Sequence, residues 1–416
     1  ISTLKLYPKH LKEYANPRLI FYKKYKITNN INPYHMLTLP PLSLYIHFPW
    51  CIRKCPYCDF NSHTLGSELP EISYVNALIQ DLEQGLSSVQ DRPIRSIFMG
   101  GGTPSLFSPQ AIQYLLVEIA KRLEFSDSIE ISLEANPGAV EYPYFAAYRQ
   151  AGINRLSLGI QSFETEKLQA LGRIHDRDEA IKAVIAAKAA GFTNINLDLM
   201  HALPGQNLKQ GLEDLNNAFL LAPTHISWYQ LSIEPNTEFF IRPPSLPLED
   251  SVFELQEQGK EQLAKNAYKQ YEISAYSLDT YHCLHNCNYW QFGDYLGIGA
   301  GAHSKITDMK NQVISRFWKK KNPKAYLAAN NNFLAEEAVI LAKDLPFEFM
   351  LNALRLYQTI SAELFQQRTG FAFSSIENIL QKAQQQNLLI YDTTCMETTE
   401  LGKRFYNNLL TLFMHD

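Results

Sequence analysis

The sequence predicts an α/β fold, a partial six-stranded (β/α)6 barrel that is followed by a small, mainly helical domain. Short β-rich runs and helical stretches alternate six times between residues 44 and 231, and such alternation builds a parallel sheet with right-handed crossovers. From about residue 334 onward the apolar residues follow helical spacing instead, as at Leu351 and Leu354. A chain of 416 residues is long enough for one such barrel with an appendage.

The six predicted strands are short runs rich in β-branched, aromatic and other apolar residues, separated by turns. They cover residues 44–48, 94–99, 129–135, 155–161, 194–200 and 225–231. Helices are predicted between them, for example over 71–86, 109–123 and 178–190. Gly191 is well placed to end the last of these helices.

Side chains along the predicted strands alternate between apolar and polar. In the third strand Leu133 faces one way and its neighbour Glu134 the other, because successive side chains of a strand point in opposite directions. A packed parallel sheet is usually apolar on both faces, so the polar face indicates an open barrel with a wet interior. In barrels of this kind the chemistry lies at the carboxyl ends of the strands, where Glu134, Gln161 and Asp198 fall.

The order of elements becomes less regular after residue 232. We predict a helix over 250–267, a strand near 271–275, and then helix 375–387, strand 388–392 and helix 398–413. The last three elements are compatible with a small winged-helix-like domain. Winged helices often bind DNA, but the acidic Glu397 and Glu400 favour structural packing or protein docking.

The domain organisation follows from these patterns. We predict an N-terminal extension over residues 1–40, the barrel over 41–305, a linker over 306–333 and the C-terminal domain over 334–416. The first 35 residues show no clean periodicity, and we interpret them as an upstream extension that precedes a natural start at Met36. A native N-terminal arm is the alternative interpretation.

Charge and hydrophobicity limit the classes of protein that the chain can belong to. The formal net charge is -4, so there is no overall basic field for binding nucleic acid. No apolar run approaches the ~18–20 residues needed to cross a bilayer, and we expect a cytoplasmic protein. Six cysteines are too sparse in a chain of this length for a disulfide scaffold.

Three of the six cysteines form a compact motif. Cys51, Cys55 and Cys58 have the spacing C-x3-C-x2-C, directly after the first predicted strand and therefore at the rim where chemistry is expected. Three thiolates in a short loop suit a soft metal centre. The spacing fits either a [4Fe–4S] cluster with one iron left open or a zinc ion with His47 or His63 as fourth ligand. The position at the rim favours the cluster, because the carboxyl ends of the strands are where a reactive centre is expected and a purely structural zinc site does not require that position.

The motif, with the aromatic Tyr57 before its third cysteine, resembles that of radical S-adenosylmethionine (SAM) enzymes. The resemblance implies a [4Fe–4S] cluster whose open iron binds SAM, and the formation of a 5′-deoxyadenosyl radical. It continues through the glycine run at 100–104 and through 158–163, 171–175 and 198–205. These segments are similar to the group that contains the oxygen-independent coproporphyrinogen III oxidases and the HemW-type haem chaperones.

The resemblance also assigns residues to SAM. Tyr45, Gly101 and Glu134 match positions that bind the SAM on the cluster. The positions that hold a second SAM molecule in the decarboxylases are matched by Tyr57, Gly102, Thr103, Gln161, Arg173 and Asp198. A second SAM in this chain is an open alternative. The guanidinium of Arg173 is suited to a bidentate contact with a carboxylate. The alternative interpretation of Arg173 is a surface arginine at the start of a helix, without a role in binding.

Two features separate the chaperone branch from the decarboxylases. Phe60 stands where the decarboxylases have a further cysteine, and residues 285–290 match the HNxxYW motif of the chaperone branch. Neutral imidazole is a natural axial ligand of haem iron, so we predict that His285 contacts haem, with a hydrogen-bonded loop histidine as the alternative. Cys283 and Cys287 are either partners of that haem or ordinary buried thiols.

The sequence therefore predicts a haem chaperone that uses a [4Fe–4S] cluster and SAM. Its expected partners are haem and acceptor haemoproteins, with any contact to membrane haemoproteins being peripheral, and no nucleic acid. The alternative is an enzyme, an oxygen-independent coproporphyrinogen III oxidase that converts propionates to vinyl groups. No residue is assigned a catalytic role.

Overall fold

A computed structural model describes residues 36–138 and 142–414. The predicted extension over residues 1–35 lies outside the described residues. Within the described ranges the strands, numbered in chain order, are β1 (Leu42–Phe48), β2 (Trp50–Cys51), β3 (His63–Thr64), β4 (Ile94–Gly101), β5 (Phe125–Ala135), β6 (Arg155–Gln161), β7 (Asn194–His201), β8 (His225–Gln230), β9 (Lys269–Glu272), β10 (Ala275–Ser277), β11 (Asp294–Ile298), β12 (His303–Asp308), β13 (Val313–Lys319), β14 (Leu334–Val339), β15 (Ile360–Ser361), β16 (Leu389–Tyr391) and β17 (Cys395–Thr398).

The helices of the same ranges lie between and after these strands. The α-helices are α1 (Glu71–Gly85), α2 (Pro109–Ala120), α3 (Phe145–Gln150), α4 (Thr165–Ala170), α5 (Arg177–Ala189), α6 (Leu208–Leu220), α7 (Glu238–Ile241), α8 (Glu249–Lys265), α9 (Leu284–Trp290), α10 (Pro323–Leu327), α11 (Leu345–Ala353), α12 (Ala362–Thr369), α13 (Glu377–Gln385), α14 (Glu400–Arg404) and α15 (Tyr406–Thr411). The 3-10 helices are Leu86–Ser88, Pro104–Leu106, Tyr142–Tyr144, Ala342–Asp344 and Phe373–Ile376. Among the described residues no helix is both long and apolar enough to cross a membrane.

The six predicted barrel strands are confirmed. Strands β1, β4, β5, β6, β7 and β8 lie side by side in chain order, and every neighbouring pair is parallel. Their apolar side chains, such as Leu44, Leu133 and Leu158, are fully buried between the sheet and the helices. The polar side chains of the opposite face, such as Glu134 and Asp198, therefore line the barrel interior.

The sheet extends beyond these six strands on both sides. Strand β11 pairs in parallel with β1, and β12, β13 and β14 follow it in antiparallel order. On the other side β10 and β9 continue antiparallel from β8. The segment 306–333, which was expected to be a linker, thus contains β13 and α10, and residues 334–339 form a strand where helix was expected. The domain boundaries themselves stay a prediction.

Local sequence signals account for the ends of several barrel helices. Asp176 caps α5, and its side chain accepts a hydrogen bond from the backbone of Glu179 while the Glu179 side chain returns to the Asp176 backbone. Asn207 and Gln210 form the same reciprocal capping box at the start of α6. These caps fix where each helix begins, and the Asn207 cap thereby fixes the length of the loop at the carboxyl end of β7.

The C-terminal part has the element order of a winged helix. Helix α11 is followed by strand β15, helices α12 and α13, and a β16–β17 hairpin in which β17 also pairs with β15. The helix predicted over 398–413 is instead the end of β17 followed by α14 and α15. Phe349 and Phe365 share an apolar core with Phe292 and Ile314 of the preceding part, so this domain packs directly on the barrel sheet.

The C-terminal domain also covers an edge of the sheet. Leu356 forms an antiparallel bridge with Glu272 of β9, and the Tyr357 amide donates to the Tyr271 carbonyl at 2.9 Å. The Ile273 amide donates to the carbonyl of Arg355 at 3.2 Å. Three residues of the domain therefore continue the hydrogen bonding of β9.

Candidate functional site

A cavity of about 380 Å3 lies along the polar face of the barrel, with its rim at the carboxyl ends of the strands. Two of the thirteen residues predicted for the site, Tyr45 and His285, do not line it. The other eleven do, namely Cys51, Cys55, Tyr57, Cys58, Gly101, Gly102, Thr103, Glu134, Gln161, Arg173 and Asp198. The structure thus brings together residues that are far apart in sequence at one concave surface.

The cysteine loop is closed at its base and held along its length. Strand β2 pairs in parallel with β3, which joins Trp50 to His63 on either side of the loop. Lys54 Nζ donates to the carbonyls of Phe60 at 3.2 Å and Ser62 at 3.1 Å. Asn61 Nδ2 donates to the Ala300 carbonyl at 2.9 Å, which ties the loop to the segment after β11. The three thiols are therefore presented to the cavity from a fixed loop.

The surroundings of Cys51 and Cys58 oppose the ionisation of these two thiols in the absence of a bound cation. Burial raises the pKa of Cys51 to about 11, against a hydrogen bond from Thr103 that lowers it. Burial likewise raises the pKa of Cys58, against a hydrogen bond with Ser62. Metal ligation requires thiolates, so a bound metal must supply the stabilising charge. The donor set of three thiols at the cavity wall fits an iron–sulfur cluster with one iron turned to a ligand in the cavity.

His47 is not available as the fourth ligand of a zinc ion. Its Nδ1 lies 3.0 Å from the Tyr45 hydroxyl and its Nε2 lies 3.0 Å from the Asn61 carbonyl, so both ring nitrogens have protein partners. His63 keeps a buried Nε2 without a hydrogen-bond partner among the described residues. Within residues 36–138 and 142–414 no three Cys, His, Asp or Glu side chains are gathered around one ion position.

The glycine run after β4 is required by close packing of the backbone. Gly101 has φ +109°, and a Cβ atom on it would lie 2.4 Å from Cε1 of the His47 ring. A Cβ atom on Gly102 would lie 2.5 Å from the Trp50 carbonyl oxygen. The amides of Gly102 and Thr103 donate to the carbonyls of Phe48 at 2.6 Å and Trp50 at 2.7 Å. The glycines thus allow the end of β4 to lie against the chain that carries the cysteine loop.

Two carboxylates, those of Glu134 and Asp198, line the cavity. Glu134 Oε2 accepts the Gly101 amide at 3.2 Å. Asp198 accepts the Ser157 hydroxyl and the Asn196 amide, both at 2.9 Å. Burial raises the pKa of Glu134, and the charge of Asp198 raises it further. Such a pair suits a ligand that brings hydroxyl donors or positive charge.

Arg173 lies in the cavity wall, so the interpretation of a surface arginine is wrong. Its Nη2 donates to Asn136 Oδ1 and to the Gly159 carbonyl, both at 2.7 Å, and its Nη1 lies 3.8 Å from Cys55 Sγ. Asn136 also donates to the Thr103 hydroxyl at 3.0 Å. Asn136 was not among the predicted site residues, although its place two residues after Glu134 puts it at the same strand end.

Gln161 has a strained backbone at the end of β6. Its φ is +68°, in the left-handed region that non-glycine residues rarely adopt, and the ladder with β7 shifts register before it. The Tyr229 hydroxyl donates to Gln161 Oε1 at 2.9 Å. Strain of this kind persists where surrounding contacts hold it, and here it directs a side-chain amide into the cavity.

His285 lies beside Ser96, near the start of β4, whereas the cysteine loop follows the carboxyl end of β1. It is 4% exposed, and its Nδ1 lies 3.2 Å from the Ser96 hydroxyl. Burial lowers the pKa of His285 to about 3, so the imidazole is neutral. Cys283 is fully buried, and its thiol donates towards Glu130 Oε1 at 3.7 Å.

Three further residues of the cavity wall come from α9 and from the C-terminal domain, and only Trp290 among them was considered as a porphyrin contact from the sequence. They are Asn286 and Trp290 of α9 and Arg355 of the C-terminal domain. The Arg355 guanidinium lies 4.5 Å from the Trp290 ring centroid. Its Nε donates to Glu272 Oε1 at 3.0 Å, and its Nη2 donates to the same oxygen. The cavity wall is therefore completed by the C-terminal domain.

Comparisons with known proteins agree with this geometry. The Radical SAM superfamily model matches residues 45–218, and the HemN C-terminal domain model matches residues 340–405. A Haemophilus influenzae protein named "Heme chaperone HemW" is 51% identical, over 91% of this chain and 99% of its own length. The chain belongs to the HemW family. The Escherichia coli member is 47% identical over 91% of this chain and 100% of its own length, and the Bacillus subtilis member is 31% identical over 89% and 99%.

Outside the HemW family, the chain is similar in fold to a solved radical SAM enzyme. Coproporphyrinogen III oxidase (HemN) from Escherichia coli superposes with a TM-score of 0.77 and 22% sequence identity over 90% of each chain. At that identity the likeness shows the fold alone. The predicted barrel and the predicted resemblance to radical SAM proteins are both confirmed, since the superfamily match includes the whole cysteine motif.

Proposed function

We propose that this chain is a haem chaperone, which binds haem and delivers it to acceptor haemoproteins with the help of a [4Fe–4S] cluster and SAM. The observation that carries the proposal is the identity of 47–51% to proteins named heme chaperone HemW, over 99–100% of their length. The alternative, a coproporphyrinogen III oxidase, has only a likeness of fold at 22% identity in its favour.

Phe60 supports the same choice. It lines the cavity at the position where the decarboxylases have a further cysteine, and the residue is 38% exposed. An exposed phenyl ring beside the cysteine loop offers a flat apolar face to a porphyrin, and it cannot donate a proton or an electron as a thiol can. The chain thus has an apolar surface where the decarboxylases carry a reactive group.

The cluster is assigned to Cys51, Cys55 and Cys58. When bound, it supplies the electron that cleaves SAM to a 5′-deoxyadenosyl radical in this superfamily. Arg173 places positive charge beside Cys55 and balances the negative charge of a thiolate-bound cluster. Glu134 provides carboxylate oxygens for the hydroxyl groups of the SAM on the cluster, and Asp198 offers the same kind of acceptor at the positions of a second SAM.

The remaining assignments belong to the proposal as well. Tyr45, Gly101 and Glu134 are assigned to the cluster-bound SAM, while a second SAM at the other wall positions stays a prediction. Haem is assigned to the cavity, whose aromatic wall residues Tyr57, Trp228 and Trp290 suit a flat apolar ring. The setting is cytoplasmic, where reducing conditions keep the six free cysteines reduced.

The test is anaerobic reconstitution with iron and sulfide, followed by three measurements on one sample. We expect about four iron and four sulfide per chain, a Soret band on titration with haem, and transfer of that haem to an apo-haemoprotein. Cys55→Ala should lose the cluster, whereas the matched control Cys395→Ala should keep it. Formation of protoporphyrinogen from coproporphyrinogen III would overturn the proposal in favour of the oxidase.

A further inference from the structure

Helix α9 has two faces of different character. His285 and Asn288 are three residues apart and share one face, and Asn286 and Trp290 are four apart and share another, because residues at these spacings are neighbours on a helix surface. The first pair is buried away from the cavity, and the second pair lines it. The HNxxYW motif is therefore divided between the barrel interior and the ligand cavity.

The buried face ties the barrel strands together. Asn288 Nδ2 donates to the Ser43 hydroxyl of β1 and to the Asp294 carbonyl of β11, both at 2.9 Å. The Ser96 hydroxyl of β4 donates to Ser43 at 2.8 Å and lies 3.2 Å from His285 Nδ1. One short helix thus joins three neighbouring strands through a buried polar network, in which each missing partner would leave a polar group unsatisfied.

The start of the helix is anchored to a fourth strand. The backbone amides of Leu284 and His285 donate to the two carboxylate oxygens of Glu130 on β5, at 3.1 and 3.2 Å. Arg155 of β6 lies 3.9 Å from the same carboxylate, and both side chains are almost fully buried. A carboxylate held in this way fixes the position and the orientation of α9 inside the barrel.

A chain of contacts leads from His285 to the wall assigned to SAM. The His285 ring packs against Tyr45, with centroids 6.2 Å apart, and against Phe98, at 5.1 Å. The Tyr45 hydroxyl lies 3.0 Å from His47 Nδ1, and the His47 ring leaves no room for a side chain on Gly101. The Gly101 amide in turn donates to Glu134. The position of the Glu134 carboxylate therefore depends on packing that begins at His285.

We propose that α9 forms the floor of the barrel, in which His285 is a positioning residue for the SAM wall rather than a ligand of haem iron, while Asn286 and Trp290 contact the porphyrin. The assignment of a porphyrin to the cavity rests on the proposed function. The division of the helix rests on the hydrogen bonds and burial described above. It also places the two adjacent polar residues of the motif, His285 and Asn286, on different faces of the helix, with Trp290 on the face of Asn286.

The first experiment separates ligation from positioning. His285→Gln keeps a hydrogen-bonding amide near Ser96, His285→Ala removes it, and His282→Gln is the matched control at an exposed histidine three residues earlier. We expect the haem complex of every variant to keep the Soret maximum of the wild type. SAM affinity, measured by the change that SAM produces in the EPR spectrum of the reduced cluster, should fall roughly 3- to 10-fold in His285→Ala and recover in His285→Gln. Loss or shift of the haem spectrum in a folded His285→Gln variant would overturn the positioning role.

The second experiment tests the cavity face. Trp290→Phe should weaken haem binding severalfold, about 2- to 10-fold for the loss of part of an aromatic contact, and leave SAM affinity unchanged. Trp318→Phe, at a tryptophan outside the cavity wall, is the control. Equal haem affinities for Trp290→Phe and the wild type would overturn the porphyrin contact. If the wild type binds no haem, the proposed function fails, and the SAM affinity of His285→Ala still decides the positioning role.

Discussion

The Nη1 atom of Arg173 lies 3.8 Å from the Sγ atom of Cys55. Its other terminal nitrogen is held by Asn136 and by the Gly159 carbonyl, so the guanidinium is fixed between the ends of β5 and β6. A cation held beside a ligand thiolate favours the more negative state of a cluster. The wall that is assigned to SAM therefore also contributes to the electrostatics of the cysteine loop.

Replacing Arg173 should make the cluster harder to reduce. Arg173→Met removes the charge and keeps the length of the stem, and we expect the midpoint potential to fall by an amount on the order of tens of millivolts. Potentiometric titration followed by EPR measures the shift. Arg149→Met, at an exposed arginine on α3, should leave the potential unchanged. A potential equal to that of the wild type in Arg173→Met would show that the guanidinium has no influence on the cluster.

A methyl group on Gly101 should disturb the cluster end of the barrel. Both Gly101 and Gly152 have φ near +110°, but a Cβ atom meets the His47 ring at the first position and nothing within 4 Å at the second. The two alanine variants share the backbone strain, and only Gly101→Ala adds a clash. We expect Gly101→Ala to lower the free energy of unfolding by ~1–3 kcal/mol more than Gly152→Ala does. Denaturant titration of both variants provides the comparison, and equal losses would contradict it.

Asp214 should make the stability of the fold depend on pH. Burial raises its pKa from 3.8 to about 7, although hydrogen bonds from the Phe163 amide and the Ser162 hydroxyl lower it. The folded chain then holds a proton that the unfolded chain has released, so the free energy of unfolding falls as the pH rises from about 4 to about 7, by about 1.4 kcal/mol per pH unit at most. Above pH 7 both states have lost the proton, and the dependence ends.

The variant Asp214→Asn removes this titration. We expect its stability, measured by denaturant titration between pH 5 and 8, to vary less with pH than that of the wild type. Asp127→Asn, at an exposed aspartate, should keep the wild-type slope. A wild-type slope in Asp214→Asn would mean that another group carries the pH dependence.

Breaking the Arg355–Glu272 pair should loosen the C-terminal domain. Arg355→Met leaves a buried carboxylate without its cation, which costs ~3–5 kcal/mol in other buried pairs. Among residues 36–138 and 142–414, Glu272 would keep only the backbone amide and the hydroxyl of Ser274 as hydrogen-bond donors to its side chain, both at 3.0 Å. The lost stability should appear as a lower temperature of thermal unfolding and as faster proteolysis of the segment near residue 340. The double variant Arg355→Met with Glu272→Gln should recover part of the stability, and no recovery would contradict the role of the unpaired charge.

The barrel was predictable because its strands alternate regularly with helices along the chain and because side chains alternate in direction along each strand. Short β-rich runs identified all six strands, alternation of apolar and polar residues within them identified the polar inner face, and the cysteine spacing after β1 identified the cluster loop. Strand β11 was missed because glycines at 293, 297 and 299 resemble a loop. In the structure Gly297 lies so close to the next strand that a Cβ atom would be 2.0 Å from the His303 carbonyl oxygen. A glycine that is required by the close approach of two backbones does not alter the alternation of apolar and polar residues in a way that would predict a strand.

The contribution of the C-terminal domain to the cavity wall was not predictable for a different reason. Arg355 reaches the wall from a domain that is distant in sequence, so only the fold brings it to Trp290. The two faces of α9, in contrast, were present in the spacing of the HNxxYW residues. The motif was interpreted by the chemistry of its histidine and by the flat aromatic rings of Tyr289 and Trp290 rather than by its helical period, and for that reason Asn286 was not assigned.

The bridge between Glu272 and Leu356 also bears on self-association. An open sheet ends in strands whose backbone amides and carbonyls can recruit another chain, and such edges are a common route to aggregation. Residues 355–357 occupy that position on β9 in this molecule. The C-terminal domain thus covers this edge strand as well as forming part of the cavity wall. Its hydrogen bonds to β9 occupy backbone groups that could otherwise pair with a strand of another chain.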